Sequence, residues 1–267
     1  MPFLSRCLRI GAAVLLAGCA VAVQAAPSVD AVAAEYRREV DRRLVVPDDE
    51  VLRYAHLAER AFARAQVVPT GDQYLVVVDR DPHVQAVLLM WRSAEGDYRL
   101  AGASPASTGR PGSFDHFETP LGVFAHTTGN LDFRAEGTFN ENGIRGYGAK
   151  GMRVFDFGWQ QVPKGWGDGR VIQMRLQMHA TDPDVLEPRL GTAQSKGCIR
   201  IPATLDRLLD RRGLIDADYD ALLAEGGKLW MLPEDRDPVP DAGRYLVVVD
   251  SERPARPRWS PLPRRRG

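Results

Sequence analysis

Apolar positions recur at helical spacing twice near the start of the chain. Val29, Val32, Tyr36, Val40 and Leu44 are separated by charged residues, which predicts an amphipathic helix packed on something larger. Pro47, Asp48, Asp49 and Glu50 restart the pattern. Val51, Leu52, Ala55, Ala58, Phe62 and Ala65 then form a second stripe, which Pro69, Thr70 and Gly71 end. From Tyr74 the texture changes to short runs of β-branched, aliphatic and aromatic residues between turn formers, predicting strands at 74–79, 86–91, 98–101, 122–125, 153–157, 171–178 and 228–232. Helical spacing returns over 203–212, with Leu205, Leu208 and Leu209 and a stop at Gly213, and again over 216–223. The expected fold class is α+β, mainly β. Its parts would be a helical N-terminal appendage over 26–70, a β core over 71–233 and a C-terminal extension over 234–267. The six residues 245–250 repeat 74–79 word for word (YLVVVD), but nothing around the two copies matches, so the repetition reads as chance among strand formers.

The residues before the first helix have a different character. Arg6 and Arg9 precede an apolar run over 10–18 that is too short to span a bilayer, and Val23, Gln24 and Ala25 form a small-residue cleavage site. Residues 1–25 therefore read as an export signal, and the expected location is the periplasm or cell envelope. Leu16, Ala17, Gly18 and Cys19 also match a lipoprotein cleavage box, which would tether the protein to a membrane through a lipid on Cys19. Residues 20–23 stay apolar where a lipoprotein turns polar, which favours cleavage at Ala25.

That reading isolates one thiol. Of three cysteines, Cys7 and Cys19 lie in the signal and only Cys198 remains. An unpaired cysteine in an oxidising compartment points to intermolecular pairing or to a nucleophile, whereas a small buried core residue is the bland alternative. Its neighbours Ser195, Lys196, Gly197 and Arg200 are not core-like. Composition is otherwise that of an ordinary globule. The 35 basic residues balance 35 acidic ones, and losing Arg6 and Arg9 leaves 33 against 35, so the balance does not describe a nucleic-acid binder. Roughly 240 mature residues fit one large domain or a domain with a small appendage. One-sided charge occurs only at the end, where Arg253, Arg256, Arg258 and Arg264 to Arg266 lie among prolines and predict a solvated basic tail.

Three segments carry chemistry-bearing patterns in order: Ser107-Thr108-Gly109 followed by Thr119-Pro120-Leu121-Gly122-Val123-Phe124; Met178-His179-Ala180-Thr181; and Ser195-Lys196-Gly197-Cys198-Ile199-Arg200. Together, over about residues 73–233, they resemble the L,D-transpeptidase catalytic domain (YkuD type), with its STG…TPxGxF stretch, its strand histidine and its SHGCIR nucleophile motif. The resemblance implies a β-sandwich catalytic domain acting on peptidoglycan peptide stems. Cys198 would attack the diaminopimelate carbonyl and expel D-alanine, and the thioester would pass to an amine. If the acceptor is a second diaminopimelate the product is a cross-link, if it is a lysine of an envelope protein the product is an anchor, and water gives trimming. Two positions depart from the family pattern: Lys196 stands where a second histidine is usual, and Ala180 where a glycine is.

The chemistry of these residues is sensible on its own terms. A thiol attacks as thiolate, and an imidazole in reach supplies the base or an ion-pair partner, so His179 is the candidate proton donor and acceptor. The other histidines, His56, His83, His116 and His126, fall in helix or loop contexts. Gly197 lets backbone pass close to a carbonyl, and N–H groups there suit an oxyanion. Arg200 suits a substrate carboxylate, a loop salt bridge being the alternative. Ser195 and Lys196 complete the candidate substrate-binding set, Ser195 as an orienter of the loop and Lys196 as a charge that lowers the thiol pKa. No Cys-x-x-Cys or His-x-x-x-His spacing accompanies the pair, so no metal or cofactor is expected. Tyr147, Phe155, Phe157, Trp159 and Trp166, among many glycines, form either a wall over the cleft or core. Beside the acyltransferase stand two other readings: a cysteine hydrolase on the same fold, and a non-catalytic wall-binding module with a decayed site.

Overall fold

Strand words buried on both faces become the middle of a sheet, and the arrangement follows from that. The structure, a computed structural model, describes residues 29–262. The expected signal over 1–25, Cys7, Cys19 and Arg264 to Arg266 lie outside the described residues. The element order is α1 (Val29–Glu39), α2 (Asp48–Ala65), β1 (Gln73–Asp79), β2 (Ala86–Arg92), β3 (Tyr98–Pro105), β4 (Gly122–Ala125), β5 (Phe133–Arg134), β6 (Arg153–Pro163), β7 (Val171–Ala180), β8 (Ile199–Ile201), α3 (Ala203–Arg212), α4 (Ala217–Ala224) and β9 (Tyr245–Val249). The molecule is mainly β, with two mixed sheets and few helices. One sheet has the order β3-β2-β1-β9-β4 and the other β5-β6-β7-β8.

Every residue of β1 is buried. Tyr74, Val76 and Val78 point to one side, into a core shared with Phe155, Leu176, Met178, Ile199 and Ile201 of the second sheet, with α1 and with α3. Leu75 and Val77 point to the other side, where Tyr54, Leu57, Ala58 and Phe62 of α2 cover them. This two-residue alternation with both faces covered is what an unbroken apolar strand requires. The two N-terminal helices are therefore not an appendage. Each supplies one layer of a core, because each carries the apolar stripe that a sheet face lacks.

The segment beyond 233 also differs from expectation. β9 pairs in parallel with β1, Leu75 opposite Tyr245 and Val78 opposite Val248, and antiparallel with β4. The two copies of the repeated word thus lie side by side in the centre of one sheet, staggered by one residue. Identical words arise because both positions demand a strand buried on both faces, whatever flanks them. The chain then folds back over the body. Ser251 N–H donates to Asp79, Arg253 N–H to Asp81, and the Trp259 ring stands edge-on to Tyr54. Arg253 pairs with Glu50, so the tail up to 262 is held against the body, although Arg258 is exposed.

Residues 228–232 form no strand. Leu229 and Met231 are buried against Tyr219 while Trp230 faces water, which imitates a strand pattern. The Met231 carbonyl accepts from the Arg134 guanidinium instead of from a neighbouring strand. Among the described residues no helix is long and apolar enough to cross a membrane.

A chain ending at residue 233 lacks the strand between β1 and β4 and leaves both edges unpaired. It is expected to show no cooperative thermal transition and to be digested rapidly by trypsin, whereas the full chain melts in one transition.

Candidate functional site

The parallel pairing of β7 with β8 sets Met178 opposite Ile199, His179 opposite Arg200 and Ala180 opposite Ile201. Side chains alternate along a strand, so Gln177 and His179 share one face of β7, and Cys198 and Arg200 share the matching face at β8. The Cys198 thiol is free, partly exposed, and donates to the Arg175 carbonyl at 3.8 Å. Tyr147 closes the cluster: its ring stands edge-on to His179 with centroids 4.7 Å apart, and its hydroxyl donates to Gln177 Oε1 at 3.1 Å. Gln177 in turn donates to Asp156 Oδ2, which also receives Arg175 Nε, both at 2.8 Å.

Backbone bridges draw the three sequence segments together. Ser107 and Arg200 exchange backbone hydrogen bonds, each at 2.9 Å, and Thr108 O accepts from Ser195 N–H at 3.0 Å. Thr119 supplies the clasp: its hydroxyl accepts Gly109 N–H at 2.8 Å and donates to Gly197 O at 2.7 Å. Gly109 must be glycine, since a Cβ there would lie 2.0 Å from Phe117 O and 2.9 Å from Gly197 Cα. Gly197, with φ +135°, would place a Cβ 2.8 Å from Met174 Cε. Gln85, buried and left-handed at φ 51°, holds Thr108 from the far side through its amide.

Several expected roles come out differently. The Ser195 hydroxyl donates to Cys198 O and accepts Gly197 N–H at 3.0 Å, so both its bonds stay within its own loop. It orients its own turn, the part the sequence assigned to it, whereas the Gly197 N–H expected at an oxyanion is engaged by Ser195. Lys196 points outward to Asp115 at 2.9 Å, both side chains being mostly in water. It is not among the charges that act on the thiol, because its ammonium is drawn outward into solvent by Asp115. Arg200 is brought in: its guanidinium reaches Gln194 O at 3.5 Å, leaves Nε without a hydrogen-bond partner and meets no carboxylate among the described residues. The aromatic stretch divides. Phe155 and Phe157 are core, Trp166 packs on Phe117, and Tyr147 stands at the cluster. Gln177, Asp156 and Gln85 carried no signal, since an amide or acid on a strand becomes informative only once its partner is known.

Electrostatics make the resting pair neutral. Burial pushes the Cys198 thiol above its ordinary value, against the Gln177 N–H and the Arg200 charge, which favour thiolate. Burial also lowers His179 to about 4, with Arg200 adding to the fall and the Ala180 hydrogen bond opposing it. The Ala180 carbonyl only accepts, so His179 Nδ1 carries the proton and donates to it, leaving Nε2 as the basic nitrogen. The arrangement holds an uncharged thiol and an uncharged base on matching faces of the paired strands, with the Arg200 charge acting on both. Among the described residues no group of three or more histidine, cysteine, aspartate or glutamate side chains could hold a metal ion.

No protein-family model matches the chain, and no curated protein matches it. Three solved chains do match. One is the helical cell shape determining protein Pgp2 from Campylobacter jejuni, in a mutant form, at 12% identity and a TM-score of 0.32 over 85% of this chain and 56% of that one. The present chain thus spans little more than half the length of that protein. So low a TM-score does not show a shared fold.

Thr119→Val removes one donor and one acceptor from the buried clasp and is expected to destabilise the protein by about 2 kcal/mol, read from the urea midpoint. Alkylation of Cys198 by iodoacetamide is expected to be slow at neutral pH and to rise only in the alkaline range, because thiolate is the reactive form and burial disfavours it. Arg200→Ala removes a stabilising cation, so its rate profile is expected to move to still higher pH.

Proposed function

We propose that the protein is an exported cysteine acyltransferase of the L,D-transpeptidase type, acting on peptidoglycan peptide stems from a β-sandwich catalytic domain. The observation that carries this reading is the neutral His179, its Nδ1 fixed by Ala180 and its Nε2 left basic, on the strand paired with the one holding the Cys198 loop and Arg200. In this mechanism Cys198 Sγ attacks the diaminopimelate carbonyl carbon while His179 Nε2 takes the thiol proton. The tetrahedral intermediate collapses with cleavage of the C–N bond, and His179 returns the proton to the departing D-alanine nitrogen. An amine then attacks the thioester, His179 accepts its proton, and the thiolate leaves and is reprotonated. Arg200, half-buried, with its Nε unbonded and no carboxylate partner among the described residues, is suited to a carboxylate of the stem. The neutral resting pair fits an enzyme in which the thiol proton passes to His179 only as Sγ attacks the carbonyl, and a protonated thiol is slower to oxidise. Its place of work would be the periplasm or envelope.

Intact-mass spectrometry tests the reading, with the protein incubated with diaminopimelate tetrapeptide stems or with a carbapenem beside a Cys198→Ala control. The expected result is a covalent adduct on the wild type alone, with cross-linked dimer in the supernatant. Trimmed tripeptide without dimer would replace transfer by hydrolysis, and no adduct with either reagent would leave a wall-binding module.

A further inference from the structure

A groove of about 610 Å³ opens beside the Cys198 cluster. Its walls include Phe133, Phe139, Tyr147 and Trp230, with Glu136 and Asn140 among the polar groups. Three of these rings are left largely in water, Trp230 at 73%, Phe139 at 60% and Tyr147 at 40% exposure. Large aromatic side chains gathered in one concave patch mark a contact surface more than they mark chance exposure. Tyr147 belongs to groove and cluster alike, since the ring that lines the groove also meets His179 edge-on. The groove therefore adjoins the candidate site through Tyr147.

The lining says what kind of ligand fits. The Arg134 guanidinium is held by Asp210 and the Met231 carbonyl, and Arg145 pairs with Asp184 while lying over the Phe139 ring at 4.0 Å. Among the described residues, the one basic side chain of the lining, Arg134, is already paired, and Glu136 makes no ion pair. The Asn140 carbonyl oxygen holds Asn142 and Ile144 N–H groups, which leaves its amide N–H₂ as donor. Ring faces interleaved with one carboxylate and one amide match a sugar, whose C–H faces stack on aromatics and whose hydroxyl and acetamido groups take the polar contacts. The volume is of small-molecule size, several times what a single ammonium head would fill.

We infer that this groove binds a neutral glycan segment, the N-acetylhexosamine chain from which the peptide stem hangs. The choice of that glycan rests on the wall-peptide reading above; the groove itself does not. Chitotetraose, a neutral N-acetylglucosamine tetramer, is the probe, titrated into the full chain and followed by tryptophan fluorescence and calorimetry. The expected result is saturable binding that Trp230→Ala and Phe139→Ala each weaken by about tenfold or more. Trp230 is exposed, so its variant is expected to keep the wild-type melting temperature, which separates lost binding from lost folding. Absence of saturable binding, or binding that neither variant changes, overturns the inference. Trp230-dependent binding of Nα-acetyl-lysine in place of chitotetraose overturns it too, in favour of an amine site. Chitotetraose binding in a wild type that no carbapenem acylates would support the groove and count only against the transferase.

Discussion

Arg153 is a guanidinium with no access to water, and a buried charge has to be matched or the fold fails. Its Nε donates to Asp132 at 2.6 Å and its two Nη groups grip Asp216 at 2.7 and 2.9 Å, so the start of β6 is tied to the approach to β5 and to the residue before α4. His126 completes the knot: Asp132 and Asp216 hold it above its ordinary pKa despite complete burial, and its ring stacks on Tyr219. Few alternative packings can satisfy so many desolvated charges at once, and that restriction, more than any net stabilisation, is what such a knot contributes.

The same knot reaches the candidate site in two steps. Arg153 N–H and Ala180 N–H both point at Asp206, at 3.3 and 3.2 Å, and Ala180 O receives the His179 Nδ1 proton. Asp206, raised to about 8 by burial and by Asp210, sits under the strand end that selects the histidine tautomer. A glycine at 180 would make the same backbone bonds, so the departure at that position leaves the geometry of the histidine intact. The departure at 196 is also absorbed, since that side chain faces solvent.

On the site's own face the balance is between burial and a single cation. Burial opposes charge on both Cys198 and His179, while Arg200 favours thiolate and disfavours imidazolium. A thiol kept neutral at rest is less reactive and slower to oxidise, and removing the Arg200 charge would shift both groups further toward a protonated thiol and a more basic imidazole.

Much of this was legible along the chain. The helical stripes, most strand runs, the Cys198 thiol and the strand histidine depend on residue type and on periods of two or 3.6, which are local properties that sequence alone determines. Tertiary structure decided the rest, because it depends on which distant groups meet. The second YLVV word became a central strand only by pairing with the first. The 228–232 run lost its strand because an arginine took its carbonyl. Ser195 and Gly197 turned their polar groups on each other, Lys196 turned to Asp115, and Tyr147 and Gln177 entered the site through partners far away in sequence. Hydrogen-bond partners and burial are relations between residues, and one residue's identity does not contain them.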